Sequence, residues 1–573
     1  MKNLIFLSVF IILVSSKVHG QNSAVDKITL EQKNVVDSLT AHWDDDNRPG
    51  GAMALILDGQ LVYQNARGYS QIETSEKNAV KTMFPLGQLS NSFLAYTLLH
   101  LETENKLSLE DPVSKYVPSL PKWANKVQLK QLLQHSSGVH DFVVLQHIVG
   151  WKENDIVKKE SAIRLIASQK ELSFAPGTEF VFSRSNLFLV SEIIERVSEL
   201  PLSQYMEQHI FKPLGLGNTK VLTTENQRNP GLAISYRTDE NNGIVPIKSR
   251  KETYAEVNIV SSIADMAKWE LHLLKPQSEI AKTTVKKFNA VVTLKNGAKF
   301  SVPSGDLIYG QKYIHKERGL ETAMSTGGID GYAAAIFNFP IRNFTAITLS
   351  NNGEPYNGYI GMLSAHTFLK GLFPEPPTID FTKIKTIKLK PNYHKKYVGT
   401  YWDAEGELSR EIKIENDTLR YVRSNGYTSS LIPITKDKFQ MIVEFDDKIF
   451  LTFNDVNGNI SMKYAYGEAT PFEFVKYTQR VYSESQLQHS FSGNYYCEEL
   501  GVGYRLSANN GKLIASNVKA DSIVLSSVMD GVFAGDMWYM RSIEFQSADT
   551  GEIEGFYVRN DAIRNLLFKK IIN

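Results

Sequence analysis

Two patterns of apolar residues run through the first part of the chain, and one of them predicts β-strands. Residues 52–57 are all apolar, Asp58-Gly59 follow, and Leu61-Val62-Tyr63 resume the apolar pattern. An Asp-Gly pair between two apolar runs is typical of a tight turn, so a β-hairpin is predicted here. Residues 332–339 and 345–349 are two further runs with the composition of strands.

The other pattern predicts helices. The segment from Ser90 to Leu101 is mostly apolar and is bounded by polar residues, which is typical of a buried helix. Residues 191–197 place their apolar side chains at helical spacing. Helices covering a largely antiparallel sheet are the simplest arrangement of these elements. The predicted fold class of this part of the chain is therefore α+β.

The pattern changes after Pro374, Pro376 and Pro377, which mark a domain boundary. Short runs of alternating apolar and polar residues follow, with turns such as Asn457-Gly458 and Thr550-Gly551. These features predict an all-β region. The predicted organisation is a mixed domain at 21–376, a linker at 377–388, and β modules at 389–480 and 481–573.

Two modules are predicted because the all-β region contains an internal repeat. The segment Tyr397-Val398-Gly399-Thr400-Tyr401 recurs 94 residues later as Phe491-Ser492-Gly493-Asn494-Tyr495. Three further pairs have the same offset: Leu419 with Leu513, Phe439 with Phe533, and Phe474 with Phe568. A fixed offset across several landmarks indicates a duplicated unit. Two small antiparallel barrels or sandwiches are predicted, and one large β domain is the alternative.

Residues 1–20 have the features of a secretory signal peptide. Lys2 precedes the apolar run from Leu4 to Val14, and Val18-His19-Gly20 provide small residues at the expected cleavage positions. A helix of about eleven residues spans about 16 Å, whereas a bilayer core is about 30 Å thick. No membrane span is predicted, and a buried amino-terminal helix is the alternative to a signal. We expect an exported protein, periplasmic or extracellular, that begins near Gln21.

Composition narrows the function classes. The chain has 573 residues, 42% of them apolar, and a formal net charge of +1. This apolar content is ordinary for a folded protein, and the near-zero charge disfavours a general nucleic-acid binder. Cys497 is the one cysteine, so an intrachain disulfide is excluded and a cysteine-based metal site is disfavoured. No metal site and no cofactor are predicted.

Six segments in a fixed order carry a family resemblance. They are Gly50-Gly51-Ala52, Phe84-Pro85-Leu86-Gly87, Lys106-Leu107-Ser108-Leu109-Glu110-Asp111-Pro112-Val113, Leu132-Leu133-Gln134-His135-Ser136-Ser137-Gly138-Val139, Pro176-Gly177-Thr178-Glu179-Phe180 and His209-Ile210-Phe211-Lys212-Pro213-Leu214-Gly215-Leu216. Together they resemble the serine β-lactamase and penicillin-binding-protein-like hydrolases, closest to the class C and esterase-like branch. The resemblance covers about Asp26 to Pro374. The resemblance implies a β-lactamase-like domain in which helices pack on an antiparallel sheet.

The family's reactive positions carry other residues here. The resemblance places Gln88 at the position of the serine nucleophile and Asn91 at that of the lysine. Arg184 takes the position of the tyrosine in a Tyr-x-Asn segment, and Ser325 stands where the strand motif has lysine or histidine. An amide is neither a nucleophile nor a base near neutral pH.

These departures predict a pseudoenzyme, a non-catalytic binding or regulatory protein of the cell envelope that uses the former active-site groove. The alternative is a hydrolase, of esterase, peptidase or β-lactamase type, with relocated catalytic residues. His135 and His140 are predicted to be structural. The expected partners are a cell-wall peptide or another carboxylate-bearing ligand, and a protein bound through the β modules. The candidate ligand-binding residues are Gln88, Asn91, Arg184, Asn186, Ser325 and Gly327.

Overall fold

The computed structural model of the chain describes residues 28–571, apart from residues 45–46, 153–154, 156–157, 224–229, 240–242, 248–258, 300, 303–304, 354, 375–386, 388–392, 404–407, 424–425, 444–448 and 467–470. The predicted signal peptide and the predicted start of the mature chain lie outside the described residues, as does nearly all of the predicted linker. No helix in the described ranges is both long and apolar enough to cross a membrane.

The amino-terminal domain, residues 28–374, is built on an antiparallel sheet in the order β10-β11-β12-β13-β14-β15-β1-β2. Its strands and those of three smaller sheets are β1 Gly51–Leu57, β2 Gln60–Arg67, β3 Tyr69–Gln71, β4 Glu76–Lys77, β5 Met83–Pro85, β6 Lys220–Val221, β7 Tyr236–Thr238, β8 Ile244–Pro246, β9 Ile259–Ser262, β10 Ser301–Val302, β11 Gly305–Leu307, β12 Tyr313–Glu317, β13 Leu320–Ile329, β14 Tyr332–Phe339 and β15 Phe344–Ser350.

Helices cover both faces of this sheet. They are α1 Leu30–Leu39, α2 Ser90–Thr103, α3 Leu129–Leu133, α4 Phe142–Ile148, α5 Lys159–Ser168, α6 Arg184–Ser198, α7 Leu202–Met206, α8 Ile263–Leu274, α9 Glu279–Phe288 and α10 Pro355–Phe368. The predicted helix from Ser90 is confirmed as α2, and the helical spacing of 191–197 belongs to α6. The predicted α+β class is confirmed.

The position of β1 between two apolar cores explains why its sequence is a continuous apolar run. Ala52 and Ala54 face the core that contains α2, α6 and α8. Met53, Leu55 and Leu57 face a second core beneath α1 and α10. A central strand covered on both faces needs apolar residues at every position. The predicted hairpin is confirmed, since Asp58 and Gly59 have φ values of 52° and 69° and connect β1 to β2.

The carboxy-terminal region folds into two closed antiparallel barrels of eight strands each. The first barrel contains β16 Gly399–Asp403, β17 Leu408–Glu415, β18 Thr418–Val422, β19 Thr428–Pro433, β20 Lys438–Met441, β21 Ile449–Val456, β22 Asn459–Tyr466 and β23 Phe472–Tyr477. A short helix, α11 Glu484–Gln486, precedes the second, which contains β24 Gly493–Cys497, β25 Val502–Asn509, β26 Lys512–Ser516, β27 Ile523–Met529, β28 Val532–Met537, β29 Met540–Ser547, β30 Ile553–Asn560 and β31 Ile563–Lys570.

The two barrels repeat individual hydrogen bonds as well as topology. The Tyr401 hydroxyl donates to the carbonyl of Tyr397 at 2.7 Å, and the Tyr495 hydroxyl donates to that of Phe491 at the same distance. Each barrel has its own apolar core. The two-module prediction is therefore confirmed, and the alternative of one large β domain is wrong.

The second barrel packs against the amino-terminal domain. Val144, Leu145 and Ile148 of α4 belong to the same buried apolar cluster as the interior of that barrel. The Tyr504 hydroxyl, on β25, donates to the carbonyl of Ile148 at 2.9 Å. Helix α4 is therefore shared between the two units, and this interface adjoins the segment that carries Arg184.

Candidate functional site

The candidate site lies where the start of α2 meets the end of β13. Strand β5 leads into a 3₁₀ turn, Gly87–Leu89, and α2 continues directly from it. Gly87 has a φ of +53°, a left-handed conformation that favours glycine. This turn holds Gln88 on the surface, facing β13.

Gly327 allows β13 to approach this turn closely. A Cβ atom at this residue would lie 2.1 Å from the carbonyl oxygen of Leu86 and 3.1 Å from the backbone nitrogen of Gln88. No side chain fits in that space. Gly327 thus brings the strand and the helix start together, and it offers a ligand no side chain.

Gln88 is hydrogen-bonded across this junction. The backbone N–H of Gly328 donates to Oε1 of Gln88 at 2.8 Å. The acceptor must be the carbonyl oxygen of the amide, because the amide nitrogen is itself a donor. Gln88 therefore occupies a backbone donor that faces the start of α2. Sequence reasoning did not single out Gly328, although it directly follows the Ser325-Thr326-Gly327 segment.

The two serines that flank Asn91 on α2 have structural roles. Ser90 is fully buried, and its hydroxyl accepts the backbone N–H of Ile259 at 3.0 Å. Ser92 is 4% exposed, and its hydroxyl donates to the carbonyl of Gly310 at 2.7 Å. Asn91 lies between them and is half-buried. Neither serine is placed to replace the nucleophile that Gln88 lacks.

Ser325 is buried next to the groove, on β13. Its hydroxyl donates to the carbonyl of Gln311 at 3.3 Å. Lys312, which follows Gln311 in the chain, is buried in an ion pair with Glu270 at 2.9 Å. A lysine held in this way is fixed by its partner, so it does not provide a free amine for proton transfer.

Arg184 begins α6 and turns toward α4. Its backbone N–H donates to Oδ2 of Asp141 at 2.7 Å, and Nη1 lies 3.4 Å from the same oxygen. The guanidinium carbon is 5.9 Å from the centre of the Phe182 ring. The side chain is 36% exposed. Arg184 is accessible, and a buried carboxylate already faces it.

Asp141 is a site residue that sequence reasoning missed. It is fully buried, and its Oδ1 accepts the backbone N–H groups of Val143 and Val144 at the start of α4. An aspartate immediately before a helical apolar run is a recognisable N-cap signal. That signal was present in the sequence, but it does not reveal the contact with Arg184.

Asn186 was predicted to face the groove, and the structure buries it completely instead. Its Oδ1 accepts from the Ser137 hydroxyl at 2.6 Å, and its Nδ2 lies 3.3 Å from Nδ1 of His135. The amide is used inside the domain because α6 packs this turn against the segment of residues 135–137. Asn186 therefore lies inside the domain and has no exposed surface.

His135 belongs to the same buried network. Gln311 donates both amide hydrogens to backbone carbonyls, so its Oε1 accepts the N–H at Nε2 of His135, at 3.1 Å. Nδ1 then accepts the backbone N–H of Ser183 at 3.3 Å. Burial lowers the pKa of His135 to about 4, so the ring is neutral at pH 7 and acts as a structural link.

Comparison with known proteins identifies the family of this domain. A family model described as Beta-lactamase matches residues 35–363, which is more than half of the chain. The chain belongs to the β-lactamase family. The resemblance inferred from the six segments is confirmed, and the amino-terminal domain is called the β-lactamase domain below.

Two curated relatives and one solved structure extend this β-lactamase assignment. Protein flp of Staphylococcus aureus (strain MW2) is 24% identical over 342 residues, which cover 58% of this chain and 65% of the relative. The D-aminopeptidase of Brucella anthropi is 27% identical over 228 residues, covering 39% and 42%. The match thus spans less than two thirds of the length of either relative.

The structural neighbour is described as the octameric penicillin-binding protein homologue from Pyrococcus abyssi. It is 21% identical, with a TM-score of 0.53, and the match covers 78% of this chain and all of the neighbour. At this identity the likeness shows the β-lactamase fold alone. Within the described residues, no group of three His, Cys, Asp or Glu side chains is placed to hold a metal ion.

Proposed function

We propose that this protein is an exported, non-catalytic member of the β-lactamase family that binds a carboxylate-bearing ligand at the groove. The word groove stands here for the family's active-site positions, which are Gln88, Asn91, Arg184 and residues 325–328. One observation carries the proposal: Gln88, at the nucleophile position, occupies the backbone N–H of Gly328 at 2.8 Å with its own amide oxygen. Export rests on the predicted signal, and amino-terminal sequencing of the mature protein tests it.

The groove offers recognition chemistry in place of acyl transfer. Acyl transfer by this fold needs a nucleophile, a base that activates it, and free N–H donors for the developing oxyanion. Gln88 and Asn91 are amides, Arg184 carries no basic lone pair, and the Gly328 donor is occupied. Removing one member of such a cooperative unit already costs several orders of magnitude in rate.

Arg184 is the candidate anchor for a ligand carboxylate. A guanidinium binds a carboxylate through two parallel hydrogen bonds, and the 3.4 Å contact with Asp141 is longer than a strong charged hydrogen bond. Asp141 also receives three backbone N–H groups, so its charge stays compensated if Arg184 turns to a ligand. Peptide ends of the cell wall carry such carboxylates, and the D-aminopeptidase relative fits a peptide ligand.

We expect Arg184→Ala to weaken binding of a carboxylate-bearing cell-wall peptide by roughly 2 kcal/mol or more, the scale for truncating one partner of a charged pair. Isothermal titration calorimetry of the full chain measures this loss. Arg196→Ala is the matched control, because Arg196 lies in the last turn of the same helix and is 43% exposed. It should leave the affinity unchanged. If the wild type binds none of the carboxylate-bearing peptides tested, the Arg184–Asp141 pair fills the groove and recognises no ligand.

We also expect β-lactam and fluorophosphonate probes to leave the protein unlabelled, because no activated serine lies at the start of α2. Intact-mass spectrometry after incubation with each probe measures this. The double variant Gln88→Ser, Asn91→Lys should gain little ester hydrolysis, since Arg184 and Ser325 remain in place. A stoichiometric serine adduct on the wild type would instead support a hydrolase with relocated catalytic residues.

The two barrels enter this proposal as accessory modules. The second barrel shields α4, and the first is the candidate surface for a protein partner. Deleting residues 393–477 tests this role. The deletion should leave the affinity of the groove for a peptide unchanged, and it should abolish binding of any protein partner that the full chain binds.

A further inference from the structure

His140 lies at the interface between the β-lactamase domain and the second barrel. It is 2% exposed and directly precedes the aspartate that caps α4. Its backbone N–H donates to Oε1 of Gln169 at 3.0 Å, and its carbonyl accepts the Ser185 hydroxyl at 2.6 Å. The backbone of His140 is thus fixed within the β-lactamase domain, while its ring faces the barrel.

The ring is hydrogen-bonded to the start of β31 in the second barrel. Nε2 lies 3.0 Å from the carbonyl oxygen of Arg564. A carbonyl only accepts, so Nε2 carries the proton and donates it. Nδ1 is buried and has no hydrogen-bond partner among the described residues. In the docked arrangement only the neutral ring fits, because protonation would bury an unpaired cationic N–H.

We propose that His140 is an acid-sensitive latch that holds the second barrel against the β-lactamase domain and releases it as the pH falls below 6.5. Ser173 contributes a second hydrogen bond to the same contact, since its hydroxyl accepts the backbone N–H of Arg564 at 3.2 Å. Release would uncover the apolar face of α4. Docking of the barrel through His140 is independent of what the groove binds.

The sign of the effect follows from the protonation of the ring. Burial lowers the pKa of His140 to about 4 in the docked state, against 6.5 for an accessible histidine. The undocked state therefore takes up a proton first as the pH falls. The neutral ring stabilises docking fully above pH 6.5. Between pH 6.5 and pH 4, the equilibrium constant for docking falls by up to tenfold for each pH unit.

Other charged groups face the same interface. Asp141 and Arg184 lie on the side of the β-lactamase domain, and Arg564 pairs with Glu179 across the contact. Further pairs join Lys170 to Glu498 at 2.8 Å and Lys152 to Asp521 at 3.5 Å. The Lys170 ammonium lowers the pKa of Glu498, so that pair keeps its charges at pH 5.

Two more titratable groups could oppose or mimic the latch. Burial raises the pKa of Glu499, so protonation of this carboxyl strengthens docking in acid and opposes the effect of His140. His147 packs its ring 4.8 Å from that of Trp538 on the barrel. A comparison of His140 and His147 variants therefore isolates the latch.

Hydrogen–deuterium exchange of the full chain at pH 7.5 and pH 5 tests the proposal. After correction for the intrinsic exchange rate, the amides of α4 should lose protection by up to ~30-fold at pH 5, the factor expected from pKa values of 6.5 and 4. The amides inside the second barrel, such as those of β27 and β29, should stay protected. A parallel loss in both places would mean global unfolding and would overturn the latch.

His140→Gln is the decisive variant, because glutamine keeps an N–H donor and does not titrate. In this variant, α4 should no longer lose protection at pH 5. Where protonation of Glu499 dominates, protection of α4 should increase instead. His147→Gln is the matched control and should keep the full response. An unchanged response in His140→Gln, or a response lost only in His147→Gln, would refute the proposal. If His140→Gln does not fold, the wild-type comparison of α4 with β27 and β29 still decides.

Discussion

Truncating Glu270 to alanine should lower the free energy of unfolding of the β-lactamase domain by about 3–5 kcal/mol, the scale for breaking a buried ion pair. Nζ of Lys312 lies 3.0 and 2.9 Å from the two carboxylate oxygens of Glu270, and 2.8 Å from Oδ1 of Asn338. Both charged side chains are at most 5% exposed. Without Glu270, the Lys312 ammonium stays buried beside β14 with one neutral acceptor.

Urea unfolding of the full chain measures this loss. Glu279→Ala is the control, since Glu279 is 87% exposed and pairs with Lys282 on the surface of α9 at 2.7 Å. It should cost at most about 1 kcal/mol. The double variant Glu270→Leu, Lys312→Met should recover most of the stability, because well-packed apolar residues commonly replace a buried pair without loss. A loss below about 1 kcal/mol in Glu270→Ala would contradict the prediction.

Phe93→Ala should destabilise the same domain by about 3–5 kcal/mol, as expected for removing a buried aromatic ring. Phe93 is fully buried on α2. Its ring stacks on Trp269 with a centroid distance of 4.3 Å and meets Phe211 edge-on at 5.9 Å. Because α2 carries Asn91 and continues directly from the turn that holds Gln88, a cavity beneath the helix should also loosen the groove.

Chemical denaturation monitored by near-ultraviolet circular dichroism follows this aromatic cluster directly. Phe93→Leu should cost less than the alanine variant, since leucine fills part of the space. Leu30→Ala is the surface control, because Leu30 is 73% exposed and should change stability by no more than about 0.5 kcal/mol. Equal stabilities of Phe93→Ala and Leu30→Ala would exclude the packing role assigned to Phe93.

Local pattern and repetition predicted much of this architecture. The Asp58-Gly59 turn fixed a hairpin because its residues tolerate positive φ. The 94-residue offset predicted two modules, and their equivalent tyrosine hydrogen bonds show that the two related sequences fold alike. Ordered segments were enough to identify the family, which the match to residues 35–363 confirms. All of these features depend on residues that are close in the sequence or on the order of segments along the chain.

Contacts between distant segments required the tertiary structure. Gln88 meets Gly328 across 240 residues, and His140 meets Arg564 across 424. The sequence identified the residue types at the groove, but it did not show that Gln88 occupies a donor, that Asn186 is buried, or that Arg184 faces Asp141. Closure of each barrel was also a tertiary outcome. Periodicity determines which face of an element is buried, whereas the partner on that face depends on how all the elements pack together.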